Sequence, residues 1–482
     1  MMSFDDVAWE YSDNLVNEWN KELRKPENLQ AIASLVASHH GGKPIEVKPP
    51  MSGAFNVMIA VEFADGGRAV MRLPKPGVLP FREEKVRNEV AAIKYLQAHT
   101  TLPIPLVLHV GTKEECPAGL GPFFIMEYAH AAKAASRDLK WPLLPEDQSP
   151  QLDPNIDQET LERIYSQMAK VLLQIWIPSS DRIGSLCEVD EETFKVTQRP
   201  YTFNMGELAV LGTLPRAKLP PKDQTFDSSA SYFRTLADLH LQHLHHQRND
   251  AVKDADDCRR KYVARQLFSR LARDNRLTSP ATAAGPFKSW CDDLRPANVL
   301  LHSTSELAAV IDWEFTYFAP AEFAESPPWW LLLEAPEFWP NGIDDWTKWF
   351  ELRLPTFLDV LRQHEDAMIR EGRFGEEQRL SERMRRSWDS GDFWVAYAAR
   401  KSFAFDAVFW RNIFPRFFGA VSGEDDAWQR ALALLGAEER DEMERLASRK
   451  MEEMKDRVLV WEDDEAVSLA SETEGGGREL SG

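Results

Sequence analysis

Cysteine is scarce in this 482-residue chain: four residues, Cys116, Cys187, Cys258 and Cys291, lie far apart with no Cys-x-x-Cys pair. Such spacing suggests neither a disulfide framework nor a zinc ribbon, and it fits a reducing compartment. Long apolar runs are missing too. No stretch approaches the ~20 apolar residues that a membrane span requires, and the opening MMSFDDVAWEYSDN is acidic with no apolar signal-like core. We therefore expect a soluble cytoplasmic protein without membrane association. Positive charge falls short of negative, 57 Lys and Arg against 77 Asp and Glu, for a formal net charge of -20. Phosphate backbones need clustered Lys and Arg, so a nucleic-acid partner is not expected, whereas a cationic small molecule would be drawn to this surface. No internal repeat is visible.

A 43% hydrophobic and 11% aromatic content excludes a mostly disordered chain, and the length suits two or three domains or one two-lobed enzyme. After a polar helical opening (1–44), VMIAVEF alternates Val57, Ile59, Val61 and Phe63, ADGGR turns, and AVMRLP returns, which is a β-hairpin signal. Val86, Val90, Ile93 and Leu96 then recur at helical spacing, and IPLVLHVG and GPFFIMEYA look like buried strands. Residues 45–130 thus read as strand, strand, helix, strand, strand. An irregular excursion (131–156) precedes an amphipathic helix carrying Leu161, Ile164, Met168, Val171, Leu172 and Ile175. TLPRAKLPPKD marks a loop, 226–274 is helical, and the chain beyond Pro328 is Trp-rich and helical, with a charged helix near 436–458. The acidic, glycine-bearing segment at 461–482 reads as a disordered tail.

The chemistry concentrates in CDDLRPANVLLHSTSELAAVIDWEF, where Asp293 is followed five positions later by Asn298, and Asp312 closes a short hairpin formed by NVLL and AAVID. Phosphoryl transfer asks for this arrangement. A loop Asp accepts the proton of the attacking hydroxyl, the Asn at the loop's far end holds Mg²⁺, and an Asp after the next strand bridges that metal to nucleotide phosphates. Asp293 is then the base, and Asn298 and Asp312 are metal ligands.

On these residues the chain resembles the aminoglycoside phosphotransferase family, relatives of protein kinases that include choline, homoserine and fructosamine kinases. The family pattern His-Gly-Asp-Leu-His-Pro-x-Asn appears here as Cys291-Asp292-Asp293-Leu294-Arg295-Pro296-Ala297-Asn298, and Ile-Asp-Trp-Glu appears as Ile311 to Glu314. The resemblance covers roughly residues 45 to 340, and the helices beyond resemble the long C-terminal extension of fungal-type members. It implies an α+β, two-lobed, protein-kinase-like fold, with a small antiparallel-sheet N-lobe (45–130) and a larger, mainly helical C-lobe (131–460). It further implies ATP and Mg²⁺ as cofactors and a small-molecule hydroxyl as acceptor. By the same resemblance Gly53 in MSGAFNV belongs to the phosphate-covering loop, and Arg72 stands where a lysine contacts the α- and β-phosphates, with Lys75 as a substitute. Glu89 is the partner of Arg72, Glu127 to Ala129 form the adenine hinge, and Glu314 supports a second Mg²⁺ or orients Asp312.

Cys291 replaces a buttressing histidine, with little catalytic loss expected, and Asp292 occupies the family's glycine position, where we expect a solvated carboxylate. A protein-kinase reading is weaker, because TYFAPAEF leads almost at once into SPPWW and leaves no room for a long activation loop. Arg72, Cys291 and the single-glycine loop keep open a pseudokinase-like nucleotide-binding or scaffolding protein without turnover. His240, His243, His245 and His246 offer a metal reading, but no Glu or Cys joins them at ligand spacing, and a helix with partly exposed imidazoles is expected. Trp329 and Trp330 read as core or as an aromatic wall over a cationic substrate, and Arg400 and Lys401 as structural. The acceptor pocket is expected from 131–156, 178–225 and the helices after 328.

Overall fold

Two helices, α1 (Asp6–Leu23) and α2 (Pro26–His40), lead into strands β1 (Pro44–Val47), β2 (Met51–Ser52), β3 (Asn56–Phe63) and β4 (Arg68–Pro74). Helix α3 (Arg82–His99) and strands β5 (Val107–Gly111) and β6 (Phe123–Glu127) follow. The six strands form one antiparallel sheet of order β1-β3-β4-β6-β5, with β2 on β3. The computed structural model describes residues 1–131, 133–145, 148–419 and 424–462, so the tail expected from 461 lies outside the described residues beyond Glu462.

Successive strand side chains point to opposite faces, and this decides where Arg72 goes. Val57, Ile59, Val61, Met71, Leu73 and Ile125 share one face with Ile32 and Val36 of α2. Val70, Phe124 and Met126 occupy the other, with Val86, Val90 and Ile93 of α3. Arg72 is two residues from Val70 and sits between Met58 and Phe124 in the ladder, so its side chain emerges on the α3 face.

The larger part begins with β7 (Lys133–Ala134) and the single turn α4 (Ser136–Leu139), and continues through α5 (Gln158–Trp176), β8 (Ser179–Ser180), β9 (Ser185–Asp190) and β10 (Thr193–Gln198). Helices α6 (Phe203–Val210), α7 (Ser229–His246) and α8 (Ala255–Arg273) come next, then β11 (Phe287–Cys291), β12 (Val299–Leu301), β13 (Leu307–Val310) and β14 (Thr316–Ala319). A short α9 (Ala321–Ala324) and the long α10 (Ile343–Arg370) open the helical remainder. All six apolar positions expected of α5 are buried. Part of 131–156 is ordered after all: Ala134 pairs with Leu300, adding β7 to the β12–β13 hairpin. The β9–β10 hairpin escaped the sequence reading, because its turn carries no glycine and Glu192 itself takes a left-handed φ of 60°.

The histidine run ends α7, but His240 and His243 are fully buried instead of partly exposed. His240 Nδ1 lies 2.9 Å from Ser402 Oγ, and His243 Nε2 lies 2.7 Å from Gln247 Oε1. Burial, with Arg265 adding to it, pushes His240 down to about 3 and His243 well below its ordinary value, so both are neutral. The tryptophan pair divides: Trp330 is core against Phe357, whereas Trp329 is partly buried and borders a cavity. Among the described residues no helix is long and apolar enough to cross a membrane.

Candidate active site

The loop between β11 and β12 is closed by its own hydrogen bonds. Asn298 N–H donates to Arg295 O (2.9 Å), and the Asn298 amide donates to Asp293 O (2.8 Å) and Asp293 Oδ2 (3.3 Å). The Asn298 nitrogen is therefore spent within the loop, and its amide oxygen is the atom available to a cation. Arg295 Nε stands 3.2 Å from Asp293 Oδ1. Burial raises the Asp293 carboxyl above its ordinary value, and Arg295 opposes the rise.

After β13 the chain turns sharply, with left-handed φ values of 65° at Asp312 and 58° at Phe315. That conformation is uncommon for residues with a Cβ, and here it sets two carboxylates of the Ile-Asp-Trp-Glu run beside Asp293. Carboxylate oxygens of Asp293, Asp312 and Glu314 all lie within 4.8 Å of one another. Converging acids need positive charge. Two buried cations from the small sheet and its helix provide it. The Arg72 guanidinium contacts Asp312 directly, lies 3.3 Å from Glu89 Oε1 and 3.4 Å from Glu314 Oε2, and so binds three carboxylates instead of Glu89 alone. Lys85 Nζ sits 2.5 Å from Glu314 Oε2, 3.0 Å from Glu89 Oε2 and 2.9 Å from Asn56 Oδ1. Asn56 Nδ2 completes the cluster by donating to Glu314 Oε2 (3.0 Å).

These neighbours divide the acids. Burial would raise Glu314, but Lys85 and Arg72 outweigh it and hold the carboxyl at about 2. Burial pushes Asp312 up to about 7 against the pull of Arg72, because Glu314, Glu89 and Asp293 repel its charge. Arg72 is held charged: its three carboxylates overcome the desolvation of burial. Glu314 stays ionised but is committed to Lys85 and Asn56, while Asp312 must lose its proton before its carboxylate can serve a divalent ion.

Lys85 is the site residue that sequence reasoning missed. Its signal was its place four residues before Glu89, which puts both on one stripe of α3. Asp292 is corrected: its side chain is largely shielded from solvent, accepting from Trp290 Nε1 (2.7 Å) and from Phe203 N–H at the start of α6 (3.1 Å), with Arg400 3.8 Å away. Lys75 donates to Gly53 O (2.6 Å), away from the acid cluster. A Cβ at Gly53 would meet only Asn56 O at 3.6 Å, so the loop itself does not require glycine there. Glu127 and Tyr128 spend their N–H groups on Leu106 O and Arg68 O. Cys291 is buried with its thiol 3.4 Å from Glu314 O, and burial pushes its pKa well up, so it acts as a small apolar prop.

A cavity of about 800 Å³ opens beside Asp293. Carboxylates of Asp292, Asp293, Glu207, Glu334 and Glu337 outnumber the cations Lys253, Arg295 and Lys401, and rings of Phe203, Trp329 and Phe403 border it. Burial raises Glu207 to about 7, and Lys401 opposes it.

No curated protein matched the chain. Similar solved structures include an ethanolamine kinase of Plasmodium vivax (12% identity, 87% of this chain and 91% of that one, TM-score 0.43). A type I macrolide 2'-phosphotransferase (13%, 86% and 98%, 0.39) and an amicoumacin kinase in complex with AMP-PNP and Ca²⁺ (12%, 93% and 99%, 0.40) are similar at the same level. The assignment rests instead on a family model, described as the phosphotransferase enzyme family, that matches residues 46–323, more than half of the sequence. That match spans the sheet, α3, the 291–298 loop and the Ile-Asp-Trp-Glu turn, and the chain belongs to the phosphotransferase enzyme family.

Proposed function

We propose that this phosphotransferase moves the γ-phosphoryl group of ATP, with Mg²⁺, onto a hydroxyl of a small, amine-bearing molecule. The observation that carries the reading is the convergence of Asp293, Asp312 and Glu314 within 4.8 Å, opposite a buried arginine and beside a partly acidic cavity. Residues 45–130 would cover the nucleotide, with the backbone at Glu127 and Ala129 meeting the base and Gly53 lying over the phosphates. Residues 131–460 would hold the loop and the acceptor. The donor set fits a hard divalent cation, since Asp312, the amide oxygen of Asn298 and, secondarily, Glu314 offer oxygen ligands alone. When bound, Mg²⁺ and ATP supply the electrophilic phosphoryl group and neutralise its charge.

The chain's own residues do the rest. Asp293 accepts a hydrogen bond from the acceptor hydroxyl and aligns its oxygen, with Asn298 and Arg295 fixing the carboxylate. Arg72, with Glu89 Oε1 3.3 Å from its Nε, would hold the phosphates of the nucleotide and supply positive charge to them. Glu207, Glu334 and Glu337 draw an ammonium group into the cavity, and Trp329 and Phe203 offer π-faces to it. Native protein and Asp293→Ala should be compared for ATP turnover on a panel of amino alcohols, sugars and aminoglycosides. The expected result is transfer by the native chain and its loss in the variant, with Mg²⁺-dependent nucleotide binding kept in both. Absence of Mg²⁺-dependent nucleotide binding would sink the reading. The contact of Arg72 with Asp312, which closes the cluster, favours one alternative: a pseudokinase-like scaffold, marked by nucleotide binding with no transfer to any acceptor.

A further inference from the structure

The cavity beside Asp293 is not bounded by the family-matched residues alone. Met2, Ser3 and Phe4 come from before residues 46–323, and Glu337 and Phe403 from after them, yet all border the same space. The leading segment is fixed in place. Met2 N–H donates to Phe403 O (3.2 Å), and Asp5 N–H donates to Leu211 O (2.9 Å). Asn249 donates its amide to both Asp5 carboxylate oxygens (3.0 and 2.9 Å), and Asp5 Oδ1 also caps α1 through Ala8 N–H. Gln247 donates to Ser3 O (2.8 Å).

The histidine run explains why that last bond is reliable. The Gln247 amide oxygen can only accept, so buried His243, 2.7 Å away, carries its proton on Nε2 and fixes the amide with its nitrogen toward Ser3. Phe4 packs edge-to-face on Phe403, ring centres 4.5 Å apart. From this anchor α1 crosses to the nucleotide-side sheet, where Ser12 donates to Gly77 O (2.9 Å) and Trp19 to Leu120 O (2.8 Å).

We propose that residues 2–4, anchored through Asp5, are a fixed wall of the acceptor site that selects the acceptor, with Phe4 and Phe403 forming an apolar side of the cavity that Glu207 and Glu337 also line. The proposal rests on reading Asp293 as the base that faces the acceptor.

The test uses Phe4→Ala and Asn249→Ala in the full chain with the same acceptor panel. Removing the Phe4 ring should raise the KM of the preferred acceptor about tenfold, the scale expected for losing part of a buried aromatic contact, or admit bulkier acceptors. The KM for ATP should not move. Unchanged acceptor preference, or equal rises in both KM values, would overturn the proposal. Hydrogen exchange in acceptor-free protein gives an answer that does not depend on turnover: amides of residues 401–404 should exchange faster in both variants, and unchanged exchange refutes the wall. Should the native chain transfer phosphate to nothing, the kinase reading and the acceptor wall that rests on it both fail, whereas unchanged acceptor preference in an active enzyme overturns the wall alone. Phe4 is only partly buried, so its variant keeps the test alive if Asn249→Ala does not fold.

Discussion

Replacing Lys85 with methionine removes a buried cation and leaves its two carboxylates in place. In the native cluster Glu314 is lowered from 4.5 to about 2, a net difference worth about 3 kcal/mol at neutral pH after the cost of burial is set against Lys85, Arg72 and Asn56 together. Removing one partner of a buried pair costs about 3–5 kcal/mol on general grounds, so the two routes agree. The pH dependence carries the sharper information. A depressed folded value contributes stability above 4.5 that is lost as pH falls toward 2. Without Lys85, burial is less opposed, the Glu314 carboxyl rises, and a proton can take over the role of the ammonium group as pH drops. Melting temperatures of native protein and Lys85→Met, measured without metal, should therefore differ most near about pH 8 and converge toward about pH 5. The double variant Lys85→Met/Glu314→Gln, which removes both charges, should recover much of the loss at neutral pH. A melting difference independent of pH, or a double variant as unstable as the sum of its parts, would refute the assignment of Lys85 as the counter-ion of Glu314.

Other consequences follow from the same contacts. Because burial pushes Asp312 up to about 7, protons compete with divalent ions for it; Mn²⁺ affinity measured by titration calorimetry should rise by up to about tenfold per pH unit below that value and level off above it. Asp292→Ala leaves Trp290 Nε1 and Phe203 N–H without their acceptor; chemical denaturation should show a loss of about 2–4 kcal/mol, and a loss near zero would mean that water replaces the carboxylate. Arg72→Lys keeps the charge but not the fork that reaches Glu89, Asp312 and Glu314 together; nucleotide affinity should weaken by less than about tenfold, against about a hundredfold for Arg72→Met, as read by a fluorescent nucleotide.

Much of the local structure could be read from sequence because it follows from short-range rules. Alternating apolar residues made β3 and β4, the 3.6-residue period made α3 and α5, and the Asp293–Asn298–Asp312 spacing followed from one loop and one hairpin. A turn without glycine hid β9–β10, because Glu192 adopts its left-handed φ only in the folded chain. The sequence reading passed over Lys85 and expected Asp292 to be solvated. Which stripe of α3 faces the Glu314 turn depends on how the sheet meets the larger lobe, 229 positions away in the case of Lys85 and Glu314. His240 and His243 illustrate the same limit, since their burial depends on Ser402 and on the N-terminal segment.

The sequence by itself determined the residue types of the 291–298 loop, the strand that presents Arg72 and the family to which the chain belongs. Only the tertiary structure decided that Arg72 is shared among three carboxylates, that Lys85 neutralises Glu314, and that residues 2–4 border the cavity beside Asp293. The physical reason is one of range. Backbone periodicity and turn chemistry act over a few residues, whereas the energy of a buried charge is set by whichever charges long-range packing brings within a few ångströms of it.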